Sequence, residues 1–430
     1  MRYRSQNDYS ADLLMELYST FSLLLVVAAF YAYLNHRFLH LPPTIGLMAL
    51  TLLSSVGLVG LGRLGVPAVL RVVEVVRTID FHTVLMQYML SFLLFAGAMQ
   101  LDTRTLGRQR VPVVLMATLG TLISTVMVAC GLYLVLPLFR LPLDFIYCLL
   151  FGSLISPTDP VAVLGILTKA GLPKALETEI VGESLFNDGV GVVLFATVLS
   201  VAVAGPAAFN PGEALVLLLR EGLGGLGLGA ALGFGAYWLL SNIDDYRVEV
   251  LITLALVTGG SALAALLHTS GPLAMVVAGL IVGSQQGWRA MSDETEDYVD
   301  KFWELIDTVL NALLFVLMGL EMLVLHISGQ YVAAGLAVVA LVLLARLVSV
   351  SIPLSFLRRR RAFSEFSLAM LTWGGLRGGI SVALALSLPP TMPRELLVGI
   401  TYVVVVFSIL GQGLTIGPLA TRLQRGLTRQ

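Results

Sequence analysis

The chain has 430 residues, of which 57% are hydrophobic and only 12% charged, with a net charge of −1. This composition excludes an ordinary soluble domain and indicates a polytopic membrane protein. The near-neutral balance gives no sign of a nucleic-acid partner, and Cys130 and Cys148, in or near apolar stretches, read as packing residues rather than a disulfide.

Apolar stretches of about 20 residues mark membrane spans. They predict thirteen, at 17–36, 43–61, 81–101, 110–138, 145–169, 176–204, 213–240, 247–268, 271–286, 305–326, 330–357, 365–388 and 395–420. No small-residue cleavage site follows the first apolar run, so the charged N-terminus is expected to be retained. Lys and Arg outside the spans favour one side by roughly two to one when the N-terminus is external. The C-terminus is then cytoplasmic, as an odd number of spans requires.

Span five is interrupted at its centre by Ser156-Pro157-Thr158-Asp159-Pro160. Each proline lacks an N–H and blocks the carbonyl four residues back, which frees the carbonyls of Ser153 and Ser156. Lipid cannot satisfy them, so this backbone must face protein or a water-filled cavity. Asp159 before Pro160 reads as the cap of a second half-helix. The segment therefore places freed carbonyls and one carboxylate at mid-membrane depth, where a small cation could bind.

Span six carries Gly182-Glu183-Ser184-Leu185-Phe186-Asn187-Asp188. On a helix, Glu183 stacks with Asn187 and Ser184 with Asp188, so the four share one face. Ionisable residues at this depth are expensive and mark function. Further on, Asp293-Glu294-Thr295-Glu296-Asp297, with Asp300, is expected to form an acidic solvated loop. Asn311 in span ten is expected to hydrogen-bond between helices, and Glu321 to lie near the outer end of that span.

Arg346 falls in the middle of span eleven and needs an anion, for which Glu183 is the natural candidate. The run Arg358 to Arg361 reads as a topology determinant that also touches anionic lipid. Span twelve is broken by Gly374-Gly375 and Gly378-Gly379 around Arg377. Arg377 is either another partner for Glu183 or a charge set against the carbonyl ends of half-helices. Spans five and twelve occupy equivalent places in two six-span units separated by span seven. The units point oppositely, and matching broken helices in inverted repeats point to a transporter's binding site. Among deep charges, Asp159, Glu183 and Asp188 outnumber Arg346 and Arg377 by one. One uncompensated negative charge must hold a proton or a monovalent cation. If the two compete there, exchange is one for one and carries no net charge.

The Ser156–Pro160 motif, the Gly182–Asp188 motif and Gly375-Leu376-Arg377-Gly378 resemble, in this order, the sodium/proton antiporters of the monovalent cation:proton antiporter-1 family. The resemblance runs over almost the whole chain. It implies an all-α polytopic membrane protein of about thirteen helices, in two inverted six-helix repeats (approximately 17–204 and 247–420) with broken crossing helices five and twelve. Residues 1–430 then form a single transmembrane transporter domain whose core bundle includes helices five, six and twelve. It also implies a homodimer in the cell (inner) membrane and alternating access. Carried over, Asp188 resembles the family's ion- and proton-carrying aspartate. Asp159, the Thr158 carbonyl and Ser184 resemble its cation ligands. Asn187 stands where electrogenic relatives carry a second aspartate, and Glu183 with Arg346 resembles a structural ion pair that orients Asn187. The segment Leu93–Met99 lacks the acid that some relatives carry near the end of span three. The expectation is exchange of Na+, with Li+, for H+, serving pH homeostasis without enzymatic activity or a cofactor. Potassium/proton exchange, a cation channel and an ion sensor are the competing readings.

Overall fold

The computed structural model describes residues 21–63, 80–160, 172–205, 210–284, 291–325, 328–357 and 365–427, with short pieces at 73–74, 76, 166–167 and 287. Arg358 to Arg361, Lys169 and most of the second half of span five lie outside the described residues, and so does the helix that Asp159 is expected to cap. Every described element is helical or a turn.

In chain order the helices are α1 (Phe21–Leu39), α2 (Pro43–Arg63), α3 (Phe81–Met99), α4 (Thr103–Phe139), α5 (Phe145–Ile155), α6 (Lys174–Ala204) and α7 (Pro211–Leu240). They continue as α8 (Tyr246–Leu266), α9 (Gly271–Val282), α10 (Asp293–Glu321), α11 (Gly329–Leu357), α12 (Glu365–Trp373), α13 (Gly379–Leu386) and α14 (Arg394–Leu423). Ten of these are long and apolar enough to cross a membrane. The other predicted spans, 145–169, 271–286 and 365–388, appear as the short helices α5 and α9 and the broken pair α12–α13.

Local chemistry sets the helix starts. Asp80, Asp102, Asn210, Asp245, Ser270 and Ser292 each accept a backbone N–H in the first turn that follows. The Ser292 cap corrects one expectation. Residues 293–300 are the opening turns of α10 rather than a loop. Acidic side chains there face the positive end of the helix dipole, which makes an acidic run a good helix start.

Large apolar side chains such as Leu53, Leu134, Trp238 and Leu266 are mostly exposed on the outside of the bundle. That surface suits hydrocarbon rather than water. The main apolar core joins α2, α5, α11, α12, α13 and α14 through residues such as Met48, Phe151, Met370 and Tyr402. A smaller cluster packs Phe95 of α3 on Trp303 of α10, with ring centroids 4.7 Å apart.

Candidate functional site

The two breaks meet inside the bundle. Helix α5 stops at Ile155 ahead of Pro157, and α12 stops at Trp373 ahead of the glycine pair. Extended backbone follows each stop, and the Asp159 N–H donates to the Leu376 carbonyl at 2.8 Å. A methyl group on Gly378 would collide with the Asp159 carboxylate, and one on Gly375 with the Arg346 guanidinium. The glycines therefore do more than weaken the helix, because they let both charged groups lie against the bare backbone of the crossing. Gly378→Ala should displace Asp159. The overpacking cost of about 1–3 kcal/mol should appear as a lower thermal midpoint of the purified protein.

Each break leaves carbonyls without helical donors, and an arginine serves each set. Arg377 Nη1 donates to the carbonyls of Ser156 and Pro157, the latter at 2.8 Å. Arg346 donates to the last-turn carbonyl of Leu371 through Nε at 3.2 Å and Nη2 at 3.0 Å. The Arg346 guanidinium also grips Glu183 with both terminal nitrogens, Nη2 to Oε2 at 2.9 Å. The expected partnership of Arg346 and Glu183 is thus present, and Arg377 faces carbonyls. The Arg377 N–H donates to Ser408 Oγ at 2.8 Å, and Ser408 Oγ donates to Gln412 Oε1 at 2.8 Å. Gln412 in turn donates to the Trp373 carbonyl at 3.0 Å. Ser408 and Gln412 lie in a π-helical turn of α14, Phe407–Gln412. The widened turn is where α14 holds the crossing, a usual place for such a turn to recur.

Thr158 joins the first break to α6. Its N–H donates to Asn187 Oδ1 at 3.1 Å, and its hydroxyl accepts from Asn187 Nδ2 at 2.8 Å. The same hydroxyl lies 2.8 Å from Ser184 Oγ. Asn187 is thus held by Thr158, with no hydrogen bond to Glu183 or Arg346 among the described residues. Asp188 is 6% exposed, and among the described residues its carboxylate accepts no hydrogen bond and forms no ion pair.

Asp188 and Asp159 line one cavity of about 430 Å³. Gln100, Asp102, Lys174 and Glu177 also line it, at the ends of α3 and α6. Asp102 accepts from Thr105 Oγ1 at 2.6 Å, which holds its carboxyl below the usual carboxylate range. It is therefore a fixed negative charge at the mouth.

Two further lining residues are Asp307 and Asn311 of α10. Sequence reasoning passed over Asp307, and the tally of deep charges has to include it. Asn311 was expected to bridge helices, but its buried amide nitrogen makes no hydrogen bond of ordinary geometry among the described residues and acts instead on Asp307, one turn earlier on the same helix. Spacing could have flagged the pair, since Asp307 and Asn311 are four apart, as Glu183 and Asn187 are. Among the described residues no group of three or more His, Cys, Asp or Glu side chains is arranged to hold a metal ion.

Comparison with known proteins places this arrangement. The profile of a family described as sodium/hydrogen exchanger, transmembrane, matches residues 25–422. The Na(+)/H(+) antiporter NhaP of Pseudomonas aeruginosa is 52% identical over 412 residues, which is 93% of this chain and 97% of that protein. The Na(+)/H(+) antiporter NhaH of Halobacillus dabanensis is 33% identical over 346 residues, covering 80% of this chain and 84% of its own length. Among solved structures, the sodium proton antiporter MjNhaP1 from Methanocaldococcus jannaschii superposes with a TM-score of 0.73 at 21% identity, covering 96% of this chain and 98% of that one. That likeness shows a shared fold. With its paired broken helices and its match across nearly the whole length, the chain is a multi-pass membrane protein that belongs to the sodium/hydrogen exchanger family, a family of transporters rather than enzymes.

Proposed function

We propose that the protein exchanges sodium for protons across the membrane, one for one, with the two ions competing for the Asp188 carboxylate. The observation that carries this reading is the position of Asp188. It is a buried acid at a cavity, next to a second acid, and among the described residues its carboxylate accepts no hydrogen bond and forms no ion pair. Such a group must take up a cation or a proton.

Asp159, Ser184, the Thr158 carbonyl and Asn187 complete the cation site in this reading. The Thr158–Asn187–Ser184 network fixes the oxygens around Asp188 before the ion arrives. Asn187 contributes its oxygen without a charge, so only one carboxylate on that face of α6 changes partner. Lithium, also a small hard cation, is accepted at the same oxygens. Arg377 stays with its carbonyls and offsets the ionised Asp159. Glu183 and Arg346 hold the second break and carry no ion.

Transport proceeds by alternating access, with α5, α6 and the α12–α13 pair rocking as a core against the other helices. The repeats 17–204 and 247–420 supply the two halves of this core. The cavity, which reaches Asp102, Lys174 and Glu177, is the inward-facing one in this reading. The N-terminus is external, the C-terminus is cytoplasmic, and two copies associate in the cell's inner membrane. The sparsely buried α1 and α7 are available for that contact and for lipid.

Purified protein in liposomes tests this reading. A sodium jump should drive proton efflux whose end point does not move when the membrane potential is clamped at different values. An exchange with one net charge per cycle would shift by about 2.3 kcal/mol per 100 mV. Such a shift would exclude the one-for-one stoichiometry, and sodium flux without proton movement would mean a channel.

A further inference from the structure

We infer that Asp307 and Asn311 form a second station for the transported cation, on the cavity wall that faces Asp188. The inference rests on the antiport reading of Asp188 and extends it.

The cavity has two unlike walls apart from the crossing. Below Gln100, the lining residues of α3 are Leu85, Leu90, Leu93, Leu94 and Gly97, which offer no oxygen from a side chain. The α10 wall supplies Asp307, Asn311 and Leu314. These are spaced i, i+4, i+7, so they form one stripe along the helix. Contacts at both ends fix the register of that stripe. Leu314 packs against the crossing, where a Cβ on Gly379 would fall 2.6 Å from its Cδ1. Trp303 packs on Phe95 of α3, five residues before Gln100 at the mouth. Asp307 and Asn311 therefore lie between the mouth and the crossing, at intervals of about 6 Å along α10.

The second observation is Asn311 itself. It is 4% exposed and lines the cavity, and its amide nitrogen makes no hydrogen bond of ordinary geometry among the described residues, the group it acts on being the Asp307 carboxylate one turn away. A buried amide so weakly satisfied is costly, so the Asp307–Asn311 pair keeps capacity for a ligand or water in the cavity. A half-turn of the amide exchanges nitrogen for oxygen at the same point. With the Asp307 carboxylate one turn away, the pair offers charged and neutral oxygen ligands to a hard monovalent cation.

The station belongs to α10, not to α6 or the broken helices, which hold Asp188 and Asp159. A cation from the mouth is first held by Asp307 and Asn311 and then passes to Asp188 and Asp159. Negative charge spaced along a low-dielectric cleft raises the local cation concentration in this manner. With α10 outside the rocking core, as in the antiport reading, the charge of Asp307 stays out of the exchange stoichiometry.

The test separates binding from transport. Purified protein is heated in NaCl and in choline chloride at equal ionic strength, and the sodium-dependent rise in Tm is read. Asp188→Asn should retain part of the rise, and Asp188→Asn with Asp307→Asn should lose it. In exchange assays Asp307→Asn should raise the KM for sodium by about tenfold, the scale of losing one charged ligand, with a smaller fall in kcat. Asp307→Glu should recover most of that loss. If Asp307→Asn aggregates on size exclusion, Asp307→Glu and Asn311→Ala carry the test, and Asn311→Ala should raise KM more than it lowers kcat. Loss of the whole sodium effect in Asp188→Asn, or wild-type KM in the Asp307 and Asn311 variants, would overturn the second station. Failure of the antiport reading would show separately, as wild-type protein without coupled exchange.

Discussion

Asp188→Asn is expected to reduce sodium-driven proton movement to the level of protein-free liposomes, while the variant purifies like the wild type. Asparagine has nearly the same shape, so the packing of α6 is kept. It has no proton to release near neutrality and no charge to hold sodium, so both halves of the exchange are lost together. The fold should tolerate the change because the Asp188 carboxylate accepts no hydrogen bond among the described residues. Removing an unpaired acid from a buried site breaks nothing and relieves a desolvation cost. The thermal midpoint in choline chloride should therefore stay level or rise. Asp159→Asn should act differently. Its N–H would still bond Leu376, so the crossing survives and exchange persists with weaker sodium affinity. A pH-indicating dye inside the liposomes reads both variants. Robust exchange by Asp188→Asn would remove that residue from the centre of the mechanism.

The residues that could be read from sequence share a property: each breaks a local rule inside an apolar span. Pro157 and Pro160 deny the helix its donors, the glycines around Arg377 deny it side chains, and Glu183, Asp188 and Arg346 put charge where lipid forbids it. What escaped was hidden by context. Asp307 stands at the edge of predicted span ten, just after an acidic stretch that includes Asp293, Glu294, Glu296, Asp297, Asp300 and Glu304, where one more acid does not stand out. In the structure that segment is helix, and the last acid of the series reaches the cavity. The bonds from Arg346 to Leu371 were equally hidden. They depend on where α12 stops, and glycine-rich sequence marks a break more clearly than it marks the last helical carbonyl. The grip of Thr158 on Asn187 also needed the fold, since 29 residues separate the two along the chain. Helix number was the least secure reading. Hydropathy counts a broken span as it counts a whole one, whereas α5, α12 and α13 are each too short to cross a bilayer.

Breaking the Glu183–Arg346 pair is expected to have the largest effect on stability. Glu183 is 1% exposed, and both of its oxygens are bound by Arg346. Arg346→Ala would strand that carboxylate and take both donors from the Leu371 carbonyl, so two buried polar groups lose their partners at once. The cost for such a loss is about 3–5 kcal/mol, enough to unfold a marginal protein. Glu183→Ala leaves the guanidinium buried but still bonded to Leu371, so its cost should fall at the lower end of that range. Glu183→Gln with Arg346→Gln should recover part of the loss, because neither position then holds an unpaired charge. Yield of monodisperse protein and thermal midpoint in detergent give the order: wild type, double variant, Glu183→Ala, Arg346→Ala. The prediction also separates this pair from Asp188, which is buried too but whose carboxylate accepts no hydrogen bond among the described residues. If Arg346→Ala were as stable as the wild type yet inactive, Arg346 would act on the ion itself rather than hold the end of α12.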